Sequence, residues 1–184
     1  EHGHELARVT EGVAAHTHEL SEEEASAPFF HPTFDLTEGA VYQAAPYVSP
    51  DTGTWVISNS TWVELDDASR WIVHFEVSLD SFAEYLSTGG TDTHVAIVDR
   101  AEGRILLQDG SPLPGTDPAG LFPLTEWSHE LAHGDSGAQG TISIDGHDAA
   151  YRIIDRAAGN ANDSYVVEWT TARASLVPPW GGAT

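Results

Sequence analysis

His129-Glu130-Leu131-Ala132-His133 sets two imidazoles four residues apart, with a carboxylate beside the first. On a helix, positions i and i+4 share a face. Such a pair can hold Zn²⁺ while the glutamate takes a proton from a metal-bound water. The context is poor for that chemistry. Gly134-Asp135-Ser136-Gly137 follows at once and ends the helix, and no third ligand stands out beyond Asp148 or Asp155. The same Gly-Asp-Ser-Gly run mimics the nucleophile motif of trypsin-type proteases. Those enzymes need a separate His and Asp carried on two β-barrels, and 184 residues with no matching upstream His do not supply them. A glycine-rich turn is the simpler reading. A zinc-dependent hydrolase built on His129, Glu130 and His133 stays as an alternative. His2/His4 and His16/His18 read as solvated pairs.

Composition narrows the classes further. Asp and Glu number 29 against 7 basic residues, all of them arginine, for a net charge of −22. That surface repels phosphate backbones and anionic membranes, which argues against a nucleic-acid partner. A hydrophobic content of 40% with 6 Trp excludes a disordered acidic tail. Without cysteine there is no disulfide framework, thiolate zinc site or Cys nucleophile. Methionine is absent even at position 1, so the chain reads as a segment of a longer product. No apolar run approaches the ~18 residues of a membrane span.

The elements that position these residues are expected as follows. Leu6, Val9, Val13, His16 and Leu20 alternate at spacings of three and four, which predicts an amphipathic helix over residues 1–27. Its apolar seam would pack on the domain or pair with a second subunit. Pro28 and Pro32 break it around the aromatic loop Phe29-Phe30-His31. Strands are expected at 41–48, 55–63 and 70–79, with Trp71, Val73, Phe75, Val77 and Leu79 alternating onto one face. A helix follows over 79–86. Gly89-Gly90 marks a boundary. Strands then come at 94–98, 104–108, 141–144, 149–154 and 165–170. A proline-rich loop and a short helix near 124–133 separate the second from the third, and Asp145-Gly146 makes a hairpin turn. Residues 177–184 should be a flexible tail.

Two stretches carry a family resemblance. Tyr42-Gln43-Ala44-Ala45-Pro46-Tyr47 through Thr52-Gly53-Thr54-Trp55-Val56-Ile57-Ser58 resembles the hairpin of Cache extracytoplasmic sensor domains in their double form. Trp71-Ile72-Val73-His74-Phe75-Glu76-Val77-Ser78-Leu79 resembles the strand that feeds that family's connecting helix. Val95 to Ile105 and Ile144-Asp145-Gly146 to Tyr151 are similar to the hairpin and turn of the membrane-proximal module. The resemblance implies an α+β fold: a long N-terminal helix followed by PAS-like antiparallel sheet modules, the distal one truncated. The expected division is 1–27 helix, 28–90 incomplete distal module with its connecting helix, 91–176 membrane-proximal module and 177–184 tail.

The resemblance also implies a site and a function. The family's amino-acid sensors clamp the ligand carboxylate with an Arg and its ammonium with an Asp. Here the Arg position falls on Phe29, the companion Trp position on His31 and the Asp position on Glu76, while the Tyr matches at Tyr47. The expected ligand-binding residues are Phe29, His31, Tyr42, Tyr47, Ser58, His74 and Glu76. With no Arg, a cationic amine or a neutral ligand suits the pocket better than a free amino acid. The implied role is non-enzymatic ligand sensing outside a bacterial cell, between flanking membrane helices. The output would be a histidine kinase, a diguanylate cyclase or a chemoreceptor, with no cofactor and a homodimer through the first helix. A ligand-free dimerisation module is the remaining alternative.

Overall fold

The computed structural model describes residues 3–65, 68–86, 93–101, 103–116, 127, 131–144 and 147–170. Gly89-Gly90, His129, Glu130, the Asp145-Gly146 turn and the tail 177–184 lie outside the described residues.

The long N-terminal helix is not formed. In its place β1 (Val9–Thr10) and β2 (Val13–Ala14) make a small hairpin, followed by a single 3₁₀ turn at Thr17–Glu19. The turn residues Glu11 and Gly12 both sit at positive φ, 52° and 82°. Such a turn suits a two-residue hairpin and stops a helix. The apolar seam is not a seam, because Leu6, Val9 and Val13 are all exposed. A homodimer through that helix loses its basis.

Helix α1 (Phe30–Asp35) occupies the expected aromatic loop. A four-stranded sheet follows. β5 (Trp55–Glu64) lies at its centre, with β3 (Tyr42–Gln43) and β4 (Tyr47–Val48) on one side and β6 (Arg70–Ser78) on the other. The single strand expected at 41–48 is thus two. Tyr42 pairs with Ser60, but Tyr47 pairs with Val56, so the register slips by one residue across Ala44-Ala45-Pro46. Proline offers no N–H to the ladder, and a one-residue bulge is the usual outcome. The slip matters for the site. Strict alternation would send Tyr42 and Tyr47 to opposite faces; the extra residue puts both on the inner face.

Helix α2 (Asp80–Leu86), capped by the Ser78 hydroxyl accepting from Asp80 N at 3.0 Å, leads to a second sheet. This sheet is antiparallel throughout, in the order β10-β11-β12-β7-β8-β9. Its strands are β7 (Thr93–Asp99), β8 (Arg104–Gln108), β9 (Ser111–Thr116), β10 (Gln139–Ile144), β11 (His147–Ile153) and β12 (Ser164–Thr170). The expected proline loop therefore hides a strand, β9. Ala96, Val98, Ile105, Ile153, Tyr165, Val167 and Trp169 form the core face, closed by Trp127 and Leu131 from the β9–β10 connection. The Gly134-Asp135-Ser136-Gly137 run is a structural turn. Gly134 O accepts from Arg100 at 2.6 Å, and Ser136 Oγ donates to Asp155 at 2.9 Å.

The two sheets are tied together. The β11–β12 connection runs beside β3: Gln43 N donates to Gly159 O at 2.8 Å, and Ala161 N donates to Gln43 O at 2.9 Å. Asn162 Nδ2 reaches Gln43 Oε1 at 3.1 Å and Ala44 O at 3.0 Å. Gly159, at φ 83°, is required there, because a Cβ would stand 2.6 Å from Val41 O.

Candidate functional site

The inner face of the four-stranded sheet carries its polar cluster. The β5–β6 register sets Ser58 opposite Glu76 and Ser60 opposite His74. Period-two alternation puts Val56, Ser58 and Ser60 on this face, and all three are buried. Serines this deep in a strand need a partner or a ligand.

Glu76 is the centre. Tyr47 Oη donates to its Oε1 at 2.6 Å. His74 Nε2 lies 3.6 Å from the same oxygen, and His74 Nδ1 meets Ser60 Oγ at 3.0 Å. Burial pushes the Glu76 carboxyl up, but hydrogen bonds from His74, Ser49 and Tyr47, with the His74 charge, outweigh it and hold the pKa at about 2. Glu76 is therefore an ionised carboxylate at neutral pH. Tyr47 moves the other way. Burial raises the phenol well above its ordinary value, and the adjoining carboxylate adds to this. It stays a donor. Among the described residues, the ion-pair partner of Glu76 is His74, with no arginine in contact.

Phe29 closes the cluster. It sits at the start of α1, buried, with its ring stacked on His74 at 3.7 Å between centroids and 18° between planes. The Thr33 hydroxyl donates to Phe29 O at 2.6 Å within the first turn of α1, and Trp62 Nε1 of β5 donates to Leu36 O at 2.9 Å, which ties the helix to the sheet. Ser58 Oγ lies beside the Tyr47 phenol, is fully buried, and makes no hydrogen bond of good geometry. An orphaned hydroxyl next to an ionised carboxylate is where a ligand donor or acceptor would be welcomed.

Of the expected site residues, the structure brings Phe29, Tyr47, Ser58, His74 and Glu76 together. Tyr42 lies on the same face, one strand over at Ser60. His31 does not join them. It is exposed, with its ring edge-on to Phe30 at 5.4 Å. Ser49 and Ser60 belong to the cluster as well; strand alternation in a polar stretch is the signal for Ser60, while Ser49 lies just past the end of β4. The hydrolase alternative rests on His129 and Glu130, outside the described residues. Among the described residues no group of His, Asp and Glu is placed to hold a metal ion.

No protein-family model matches the chain, and no curated protein matches it. Solved structures do. The domain of a sensory box/GGDEF family protein from Vibrio parahaemolyticus superposes with a TM-score of 0.64 at 12% identity, covering 92% of this chain and 69% of that one. The extracellular domain of a protein assigned as histidine kinase vpHK1S-Z8 gives 0.61 at 13% identity, covering 92% and 64%. That of rpHK1S-Z16, also assigned as a histidine kinase, gives 0.53 at 17%, covering 86% and 64%. The chain thus spans about two thirds of the length of these structures. The fold is the one these domains share, PAS-like and mostly antiparallel sheet with few helices.

Proposed function

We propose that this chain is the ligand-sensing, non-catalytic part of a bacterial membrane receptor, exposed outside the cytoplasm. Residues 28–90 would form the distal module and 91–176 the membrane-proximal one. The output would be a histidine kinase, a diguanylate cyclase or a chemoreceptor module. Membrane helices would flank this segment; among the described residues themselves, no helix is long and apolar enough to cross a membrane. The ligand is a small amine, bound on the inner face of the four-stranded sheet. The observation that carries this reading is Glu76: an ionised, largely buried carboxylate held by the Tyr47 hydroxyl and by His74, on whose ring Phe29 stacks, without an arginine beside it. An ammonium gains both the charge and the ring faces; a free carboxylate faces Glu76 with nothing to neutralise it. Binding would draw Glu76 from His74, move Phe29 and shift α1, a population shift between two packings.

Calorimetry with a panel of primary amines and L-amino acids tests this. Losing one partner of a desolvated charge pair costs ~2–5 kcal/mol, so Glu76→Gln should weaken amine binding at least about 30-fold. Free L-amino acids should bind poorly to the parent chain and better to Phe29→Arg. Tight binding of L-amino acids to the parent, unchanged in Glu76→Gln, rejects this assignment.

A further inference from the structure

The two sheets differ at one edge. In the six-stranded sheet β12 follows β10 and β11 and is flanked on its far side by β7. In the four-stranded sheet β6 follows β5 in the same antiparallel manner, yet among the described residues β5 is its one strand neighbour. Leu79 N donates to Trp55 O. Antiparallel alternation then turns the N–H and C=O groups of Arg70, Ile72, His74, Glu76 and Ser78 toward the open edge.

The outer face of that edge is apolar. Trp71, Val73 and Phe75 are 42%, 56% and 59% exposed. Beside them, Trp55, Ile57, Asn59, Thr61 and Val63 of β5 continue the face, so no charged side chain stands on it in a chain of net charge −22. Among the described residues this is a free backbone edge with an uncharged face, a template for strand addition.

Charge decides the occupant. Long-range repulsion opposes the approach of two such acidic copies, and it is least where no acid stands. A two-fold pairing of β6 with itself about Val73 sets Trp71 opposite Phe75 and Val73 opposite Val73 on the outer face. On the inner face it sets Arg70 opposite Glu76, twice by symmetry. Pairing one step along, about His74, would set two imidazoles together and Glu76 opposite Ile72, losing the charge match. We infer that β6 pairs antiparallel with β6 of a second copy of this chain, centred on Val73, joining two four-stranded sheets into one eight-stranded sheet. This pairing competes with the amine reading, because the partner's Arg70 would stand opposite the same carboxylate that an amine would take.

Sedimentation velocity across a salt series tests the dimer, because at ~1 M salt the Debye length falls to about 3 Å and the acidic repulsion is screened. The expected result is a monomer–dimer equilibrium driven toward dimer by salt. Val73→Glu with Phe75→Glu, both at exposed positions, should leave a monomer with the parent's circular dichroism. The chain holds no cysteine, so single-cysteine variants report the register directly. Val73→Cys falls on a non-hydrogen-bonded pair with Cα atoms ~4.5 Å apart, and should oxidise to a covalent dimer. Phe75→Cys should not, because its symmetry mate lies four residues along, ~13 Å away. A monomer at every salt concentration, or a dimer that persists with both glutamates, overturns the inference. Cross-linking through His74→Cys instead of Val73→Cys overturns the register.

Discussion

Replacing Glu76 with Gln should change how the protein's stability depends on pH. The Glu76 carboxyl is held at about 2 against an ordinary value of 4.5. A depressed folded-state pKa means that the unfolded chain takes up the proton first. The stabilisation is therefore complete above pH ~4.5, falls as pH drops through the interval, and is gone below about 2. Moving a carboxyl that far corresponds to roughly 3 kcal/mol at 1.36 kcal/mol per pH unit. Solvent reaches 18% of the side chain, which screens part of this, so about 2 kcal/mol is the expected yield. The assay is urea denaturation of the parent and Glu76→Gln at several pH values between 2 and 7. Other acids titrate equally in both chains, so the difference between the two curves isolates Glu76. That difference should be about 2 kcal/mol at pH 7 and close to zero near pH 2. Parallel curves would refute the reasoning, since Tyr47, His74 and Ser49 would then not be stabilising the charge.

Other outcomes follow from the same structure. With a net charge of −22, the melting temperature should rise by roughly 5–10 °C between 0.1 M and 2 M NaCl as self-repulsion is screened, read by differential scanning calorimetry. Asn162→Ala removes the bonds to Gln43 and Ala44 and should cost ~1–3 kcal/mol in denaturant titrations. Gly159→Ala, forced to positive φ against Val41 O, should cost about 2 kcal/mol or more in the same titrations. Val13→Asp, at a position 71% exposed, should melt within ~0.5 kcal/mol of the parent; a larger loss would restore the buried seam.

The strands of the four-stranded sheet were readable because β-branched and aromatic residues crowd 55–63 and 70–79, and the structure keeps those bounds almost unchanged. Which face is buried was not readable. Periodicity groups Trp71, Val73 and Phe75 together, but burial falls on the other face, where Ser58 and Ser60 are buried, Glu76 bonds Tyr47 and Ser60 bonds His74. The first helix failed for a local reason. Three-four spacing of five residues is weak evidence against one Glu-Gly turn with positive φ at both positions. Strand β9 was hidden by its own prolines, tolerated on an edge strand. Tyr47 and Glu76, 29 residues apart, came together only through a resemblance. No spacing rule reports a contact made by a bulge and a strand pairing.

The clasp between Asn162 and Gln43 joins positions 119 residues apart. That distance along the chain sets an order of events. On a ribosome synthesising roughly 5–20 residues per second, the β3 edge emerges several seconds before the loop that covers it. Through that interval the four-stranded sheet has two unsheltered flanks, β3 and β6, and loop-closure entropy delays the covering contact even after the whole chain is free. The β11–β12 loop is therefore the last seal on a sheet made first. Variants that weaken it should show their harm in the yield of soluble protein more than in the properties of the molecules that finish folding.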